Sequence, residues 1–129
     1  MTVKNVRRVP TVSSQAQIIL EKRYLLEGET VDKFFRRVAK AVAEADYKYG
    51  ASELEVEKLA SEFKTLMEWG TFLPNSPTLM NAGANNTGTL SACYVLPLND
   101  DMEEIMQTAS DQAMVEKFGG GVGFPLSNL

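Results

Sequence analysis

The sequence predicts an α/β protein: a mostly helical amino-terminal domain, then the first strand, helix and strand of an α/β domain. Three observations carry this prediction. Apolar residues recur at helical spacing through residues 13–70, strict alternation runs through residues 89–96, and a triple glycine separates a further helical pattern from a second extended segment. One such unit cannot close a sheet, so both candidate strands keep exposed edges and the core is expected to be incomplete on its own.

The composition is that of an ordinary soluble protein. The chain has 129 residues, of which 44% are hydrophobic and 23% charged. No apolar run approaches the roughly 18 residues of a membrane-spanning helix, and no secretory signal is recognisable at the start, so we expect a cytoplasmic protein. The net charge is −4 with scattered basic residues, which argues against nucleic acid as the main partner.

The chain contains no histidine and a single cysteine, Cys93. A histidine-based catalytic triad and a zinc site built from His and several Cys are therefore excluded within it, and we expect no metal site. A free cysteine is usually a small buried hydrophobe. However, alternation along the predicted strand places Cys93 with Thr89, Ser91 and Val95, away from the apolar face formed by Leu90, Ala92, Tyr94 and Leu96. This pattern weakens the interpretation of Cys93 as an inert core residue.

The helical domain is predicted over residues 13–70, after an extended arm over residues 1–12. Ser13 or Ser14 caps a first helix that runs to Arg23. Thr30 caps a second, with an apolar stripe of Val31, Phe34, Phe35, Val38, Ala41, Val42 and Ala45. Ser52 and Glu55 form a capping box before a third, with a stripe of Leu54, Leu59, Phe63, Leu66 and Met67 that ends at Gly70. The charged residues of the third helix, including Lys64, are expected to face solvent, and the two long helices to pack as an antiparallel hairpin.

Two further segments carry candidate binding features. Ser76 followed by Pro77 signals a short helix whose free N–H groups attract anions, although from the residues alone a capped surface loop is the favoured interpretation. Asn99-Asp100-Asp101 caps a helix that runs to about Lys117, with Met102, Ile105, Met106, Ala109 and Ala113 on one stripe and capping-box spacing between Asp101 and Glu104. Gly119–Gly121 then permits positive φ and close approach to a ligand, but it is neither a P-loop nor a dinucleotide fingerprint.

Four motifs in order resemble the catalytic subunit of ribonucleotide reductases. They are FLPNSPTLMNAG (residues 72–83), LSACYVL (90–96), NDDMEEI (99–105) and KFGGGVGF (117–124). The resemblance covers residues 15–129 and is most specific over residues 70–129. The earlier segments EKRY (21–24) and FFRRV (34–38) look most like the adenosylcobalamin-dependent branch of the family.

This resemblance implies a fold and a set of site residues. Residues 71–129 would begin the family's ten-stranded α/β barrel. Cys93 would be the first of two cysteines that reduce the ribonucleotide and finish as a disulfide. The substrate would be bound by Ser76, Pro77, Thr78, Ser91, Ala92, Gly119, Gly120 and Gly121. Asp100, with Asp101 and Met102, would hold a deoxynucleotide effector, on a helix that belongs to the dimer interface in many members.

The resemblance also implies partners that this chain does not contain. They are adenosylcobalamin bound mainly by downstream sequence, a dithiol reductant such as thioredoxin, a ribonucleoside di- or triphosphate, and a second chain or segment that supplies the remaining barrel. A homodimer is also implied. The family's radical-bearing cysteine and second redox cysteine lie downstream, so we expect this chain alone to be inactive. The rival hypotheses are a non-catalytic nucleotide-binding or dimerisation module derived from the enzyme, and a helical domain whose resemblance is coincidental.

Overall fold

A computed structural model describes residues 12–85 and 88–129. The arm predicted over residues 1–12 lies outside the described residues, except for Val12. The described chain divides into two compact units between Leu73 and Pro74. None of the described helices is both long enough and apolar enough to cross a membrane.

The first unit is helical. It contains α1 (Ser14–Arg23), α2 (Val31–Ala43), a 3-10 helix (Glu44–Tyr49) and α3 (Glu53–Glu68). The predicted caps are confirmed: Ser13 caps α1, Thr30 caps α2, and Ser52 and Glu55 form a reciprocal capping box at α3. Each of these hydrogen bonds joins residues three apart, so local sequence is sufficient to specify it.

Helices α2 and α3 pack in antiparallel orientation. Asp32, in the first turn of α2, pairs with Lys64 near the end of α3 at 2.8 Å, and Lys40 near the end of α2 pairs with Glu57 near the start of α3 at 3.3 Å. Phe34 and Phe35 are buried, as predicted. The hairpin predicted from the two apolar stripes is therefore confirmed.

The buried faces of these helices include the predicted Phe34, Phe35, Val38 and Met67, but they also include residues outside the predicted stripes. On α2, Ala39 and Ala43 are buried, whereas Val42 is 39% exposed. On α3, Val56 and Ala60 are buried, whereas Leu54 in the first turn is 81% exposed. Small side chains let two helix backbones approach closely, and a count of large apolar residues does not reveal such positions.

Two ion-pair clusters brace the first unit. Glu29 and Arg37 form a pair at 2.8 Å whose side chains are only 8% and 11% exposed, and the Arg37 guanidinium lies over the Phe34 ring. Lys64 is also largely covered, and it bridges Asp32 and Glu68. The prediction that Lys64 belongs to a solvated face is therefore wrong, because two carboxylates hold its ammonium against the hairpin.

The second unit is a β–α–β arrangement preceded by a short helix. It contains α4 (Ser76–Asn81), β1 (Cys93–Val95), α5 (Met102–Lys117) and β2 (Gly121–Gly123). The two strands are parallel, with Cys93 opposite Gly121, Tyr94 opposite Val122 and Val95 opposite Gly123. Together with the helical first unit, this confirms the predicted α/β class.

The first strand is shorter than the predicted segment 89–96. Its alternation holds at residues 91–96, but Thr89 is half-buried and Leu90 is 46% exposed, the reverse of the prediction. The reason is that residues 88–92 are not strand, so the two-residue period does not extend through them.

Of the apolar stripe predicted on α5, only Ile105 is half-buried, and the other four residues are exposed. The face turned to the strands carries Ile105, Thr108 and Val115, whereas Met102 and Met106 are 70% and 63% exposed. Thr108 is buried because its hydroxyl donates to the Pro97 carbonyl at 3.0 Å, so a polar residue occupies the packed face.

Candidate functional site

Cys93 lies at the amino-terminal end of β1 with an exposed side chain. Its neighbours alternate as the strand geometry requires: Ser91 and Val95 are exposed with it, and Ala92 and Tyr94 are half-buried on the other face. The thiol is therefore accessible on this unit, as the sequence pattern indicated.

The second strand leaves the Cys93 face without side chains. In the parallel register Gly121 lies opposite Cys93 and Gly123 opposite Val95, and the Gly121 N–H donates to the Ala92 carbonyl at 2.8 Å. A Cβ on Gly123 would meet no atom within 4 Å, and one on Gly121 would meet only the Ala92 oxygen at 3.6 Å. Packing among the described residues therefore does not require glycine at either position.

Gly119 and Gly120 have a different structural basis. Gly119 adopts a φ of 86°, in the left-handed region that favours glycine at the end of a helix. A Cβ on the buried Gly120 would lie 2.6 Å from Val115 Cγ1 and 2.8 Å from Tyr94 Cε2. The missing side chain at Gly120 is thus explained by contact of the chain with α5 and β1.

The face of β1 opposite the thiol packs on α5. Tyr94, Val115 and Phe118 line a mainly apolar cavity of about 360 Å³ together with Thr89 and Met114. The Tyr94 hydroxyl is hydrogen-bonded to the Thr89 hydroxyl. This cavity lies behind the strand, so it does not open onto the Cys93 face.

Helix α4 is tied to the segment that leads into β1. Asn81 Nδ2 donates to the Thr89 carbonyl at 2.7 Å, and Thr78 Oγ1 lies 2.7 Å from the Leu90 carbonyl oxygen. The Ser91 N–H donates to Thr89 Oγ1 at 3.1 Å. Sequence reasoning missed Asn81 and Thr89, because contacts between a side chain and a backbone eight or more residues away leave no periodic signal.

The three residues predicted to bind substrate phosphate all lie on α4, but the helix starts one residue earlier than predicted. Asn75 is the cap, Ser76 is the first helical residue and Pro77 the second. Asn75 Oδ1 accepts the Thr78 N–H at 2.8 Å. Pro77 has no N–H and that of Thr78 has an internal partner, so neither residue presents a free backbone donor to an anion.

The residues predicted to bind the effector lie at the start of α5. Asp101 is the cap, and its Oδ1 accepts the N–H groups of Glu103 and Glu104, each at 3.0 Å. The predicted capping box is incomplete, because the Glu104 carboxylate instead accepts from Asn99 Nδ2 at 2.6 Å. Asp100 is exposed and makes no hydrogen bond or ion pair with the described residues, so its carboxylate is available to a ligand.

The candidate residues fall at opposite edges of the small sheet. Parallel pairing brings Ser91, Ala92 and Cys93 beside Gly121 at the amino-terminal ends of the strands, where Thr78 is also anchored. Asp100 follows the carboxyl-terminal end of β1, where Asn128 Nδ2 donates to Asn99 Oδ1 at 3.1 Å. The structure therefore separates the predicted substrate residues from the predicted effector residues.

The described residues form no metal-binding cluster, and two of their clefts are too small for a corrin. Within residues 12–85 and 88–129, no three His, Cys, Asp or Glu side chains are grouped so that they could hold a metal ion. The cavity behind β1 and a polar groove of about 320 Å³ between α2 and α3 are in the size range of drug-sized ligands. A corrin with its attached nucleotide is larger than either.

These features define a class: an α/β protein in which a helical unit precedes a β–α–β unit with an exposed cysteine on its first strand. Residues 11–87 match the family model described as "Ribonucleotide reductase, all-alpha domain", and residues 91–129 match "Ribonucleotide reductase, barrel domain". The chain therefore belongs to the ribonucleotide reductase family.

Curated relatives agree with this assignment. A vitamin B12-dependent ribonucleoside-diphosphate reductase of Mycobacterium tuberculosis is 38% identical over 134 residues, which cover 96% of this chain and 18% of that protein. A protein of the same name from Thermoplasma acidophilum is 49% identical over 69 residues, or 54% of this chain and 9% of that protein. The alpha subunit of a Bacillus subtilis ribonucleoside-diphosphate reductase is 36% identical over 70 residues, or 54% and 10%. This chain thus spans only a small part of each relative.

Proposed function

We propose that this chain is the amino-terminal part of a ribonucleotide reductase, and that Cys93 supplies one of the two thiols that reduce the ribonucleotide. The observation that carries the proposal is the exposed thiol on β1, which lies beside Gly121, a residue of β2 without a side chain. It falls within the segment that matches the family's barrel domain. An open face beside a thiol is what a sugar needs in order to approach the sulfur.

The chemistry requires a second thiol from outside this chain. Two thiols become one disulfide and release two electrons and two protons, while the 2′-hydroxyl of the ribose leaves as water and hydrogen replaces it. Cys93 is the chain's single cysteine, so its partner and the cysteine that carries the thiyl radical belong to the rest of the protein. A dithiol reductant such as thioredoxin then restores the two thiols.

The substrate is proposed to be a ribonucleoside diphosphate, bound along the edge that carries Cys93. The Mycobacterium and Thermoplasma relatives are named ribonucleoside-diphosphate reductases, which favours a diphosphate over a triphosphate. Within this chain the substrate would contact Ser91, Ala92 and Gly121, with its phosphates toward Ser76 on α4. For the other four predicted residues the geometry favours structural roles. Pro77 lies in the first turn of α4 and Thr78 anchors the segment before β1. Gly119 permits the end of α5, and Gly120 permits close packing against Val115 and Tyr94.

Adenosylcobalamin is the proposed cofactor, because several relatives are named vitamin B12-dependent. When bound, it supplies the radical that starts ribonucleotide reduction. Neither of the two clefts described above is large enough for it, so we propose that the remaining sequence binds most of it. The contribution of this chain is to hold one thiol and an open face next to the substrate.

A deoxynucleotide effector is proposed to bind at the start of α5, through the exposed carboxylate of Asp100. Asp101 would act indirectly, because its carboxylate caps the helix. Met102 is exposed beside it and offers an apolar contact. This second region also supports the alternative of a non-catalytic nucleotide-binding or dimerisation module.

Replacement of Cys93 by serine distinguishes a reductase that uses this thiol from a non-catalytic binding module. This chain would be combined with a polypeptide that supplies the rest of the barrel, adenosylcobalamin and a dithiol reductant, and deoxynucleotide formation would be measured. We expect Cys93→Ser to abolish multiple turnover, because serine cannot enter a disulfide, and Ser110→Ala, an exposed change on α5, to leave turnover intact.

Two other outcomes would contradict parts of the proposal. Continued multiple turnover by Cys93→Ser would remove its redox role and favour the binding-module alternative. Activity with a metal-radical partner subunit, but none with adenosylcobalamin, would overturn the cobalamin assignment.

A further inference from the structure

We propose that Asn81 is a positioning residue that holds the Cys93 strand in place through the backbone of the preceding segment. The inference rests on the proposed role of Cys93 as a reductant, and it deepens that role. It assigns to α4 a task besides substrate binding: fixing where the thiol lies.

The strand that carries the thiol has little regular structure to hold it. β1 is only three residues long and pairs with one neighbour among the described residues. A two-stranded sheet of this kind is marginal by itself. Residues 88–92, which lead into it, are neither helix nor strand. The position of Cys93 therefore depends on what restrains this entering segment.

Side chains of α4 supply that restraint. Asn81 Nδ2 donates to the Thr89 carbonyl at 2.7 Å. The Thr78 hydroxyl lies 2.7 Å from the Leu90 carbonyl oxygen and 2.9 Å from Asn75 Oδ1, and its proton is directed to the nearer acceptor, Leu90. Both acceptors are consecutive backbone groups, so the two bonds fix the direction of the chain four and three residues before Cys93. Neither carbonyl has a place in the β-ladder, which begins at the Ala92 oxygen.

Gly88 lies against the Asn81 side chain that makes this contact. A Cβ on Gly88 would overlap the side-chain amide of Asn81. Close approach of the Gly88 backbone therefore lets the Asn81 amide reach the next carbonyl along the chain. The small size of Gly88 and the donor group of Asn81 thus serve one contact.

The restraint continues from Thr89 into the strand itself. The Thr89 hydroxyl is bonded to the Tyr94 hydroxyl and accepts the Ser91 N–H. Tyr94 is the residue next to Cys93 and is packed on the opposite face of β1. A continuous series of hydrogen bonds therefore runs from α4 through Thr89 to the neighbour of the thiol.

The first test measures the restraint without reference to activity. Asn81→Leu removes the donor at similar volume, Gly88→Ala displaces the same amide, and Gln17→Leu removes an exposed amide donor in α1 as a matched control. We expect the first two variants to speed hydrogen exchange at the Ser91 and Gly121 amides by about five- to tenfold, the factor that one lost hydrogen bond gives. The double variant should show little further change, because both substitutions remove one contact.

The second test is a single turnover of the assembled, pre-reduced enzyme without external reductant. The amount of product counts active molecules, and the rate constant reports thiol placement. We expect Asn81→Leu to keep the amount and to lower the rate constant by about ten- to a hundredfold, the effect of a small misplacement of a reacting group.

The outcomes distinguish this inference from the proposed function. Unchanged exchange at both amides would overturn the inference, as would faster exchange with an unchanged rate constant, since Asn81 would then be merely structural. A product amount that fell at an unchanged rate constant would have the same meaning. If the unmodified assembly formed no deoxynucleotide, the proposed function would fail, and exchange would still decide whether α4 restrains the Cys93 strand.

Discussion

Replacement of Gly120 by alanine tests the packing that fixes the second strand. The added Cβ would lie 2.6 Å from Val115 Cγ1 and 2.8 Å from Tyr94 Cε2, both well inside contact distance. Neither neighbour can move aside easily. Val115 is β-branched within a helix, where one rotamer accounts for about 90% of cases, and the Tyr94 ring is tethered by its hydroxyl to Thr89.

The expected effect follows from this overlap. Admitting the methyl group requires Val115 or Tyr94 to shift, and a shift of this kind costs about 1–3 kcal/mol, so we expect Gly120→Ala to lower the free energy of unfolding of the second unit by that amount. Gly123→Ala is the matched control, because its Cβ would meet no atom within 4 Å and its φ is not positive. Alanine there should leave stability unchanged or raise it by up to about 1 kcal/mol.

Hydrogen exchange of the α5 amides in increasing urea measures the stability of the second unit. Trp69 is the chain's single tryptophan and lies in the first unit, so its fluorescence serves as an internal reference that neither substitution should alter. Equal protection of α5 in the two variants would refute the assignment of Gly120 as a packing glycine. It would leave close approach of an external group as the reason for that residue.

Two further predictions concern the first unit. Phe34 is 0% exposed, so Phe34→Ala should lower the free energy of unfolding of the first unit by about 3–5 kcal/mol. Trp69 fluorescence in increasing urea measures this change. A loss below about 1 kcal/mol would mean that the ring is not a core anchor. Burial alone would raise the pKa of Glu29, but the Arg37 guanidinium and the Leu26 N–H together lower that pKa below its ordinary value of 4.5. The stability from this pair is therefore fully present above about pH 5 and is lost as the pH falls through the lowered pKa, so the stability of Glu29→Gln should depend less on pH in this acidic range. The same acid dependence in Glu29→Gln and the unmodified chain would contradict it.

Local hydrogen-bond patterns were predictable and packed faces were less so. The caps at Thr30 and Ser52 follow from side chains and backbone three residues apart, so the sequence alone specifies them. The buried face of α2 depends instead on how closely α3 approaches. Ala43 and Ala60 lie in one buried cluster between the two helices, and a pattern of large apolar residues does not reveal their burial.

The exposed thiol was predictable, whereas its anchor was not. Two-residue alternation over residues 89–96 placed Cys93 on the polar face, and the structure agrees over residues 91–96. Asn81 contacts the Thr89 carbonyl, eight residues further along the chain. No helical or strand period relates a donor to an acceptor at that separation, so the sequence does not indicate this contact.

The glycines between α5 and the end of β2 have different physical reasons, although they belong to one family motif. Gly119 is explained by its positive φ and Gly120 by contact with Val115 and Tyr94, and both reasons hold without a ligand. Gly121 and Gly123 have no such internal reason, although glycine weakens a strand. These two residues lie opposite Cys93 and Val95, so unexplained glycine and the exposed thiol share one face. A substrate that approaches this chain beside β2 would meet that face. A side chain at Gly121 should then hinder binding, whereas a side chain at Gly120 should lower the stability of the second unit.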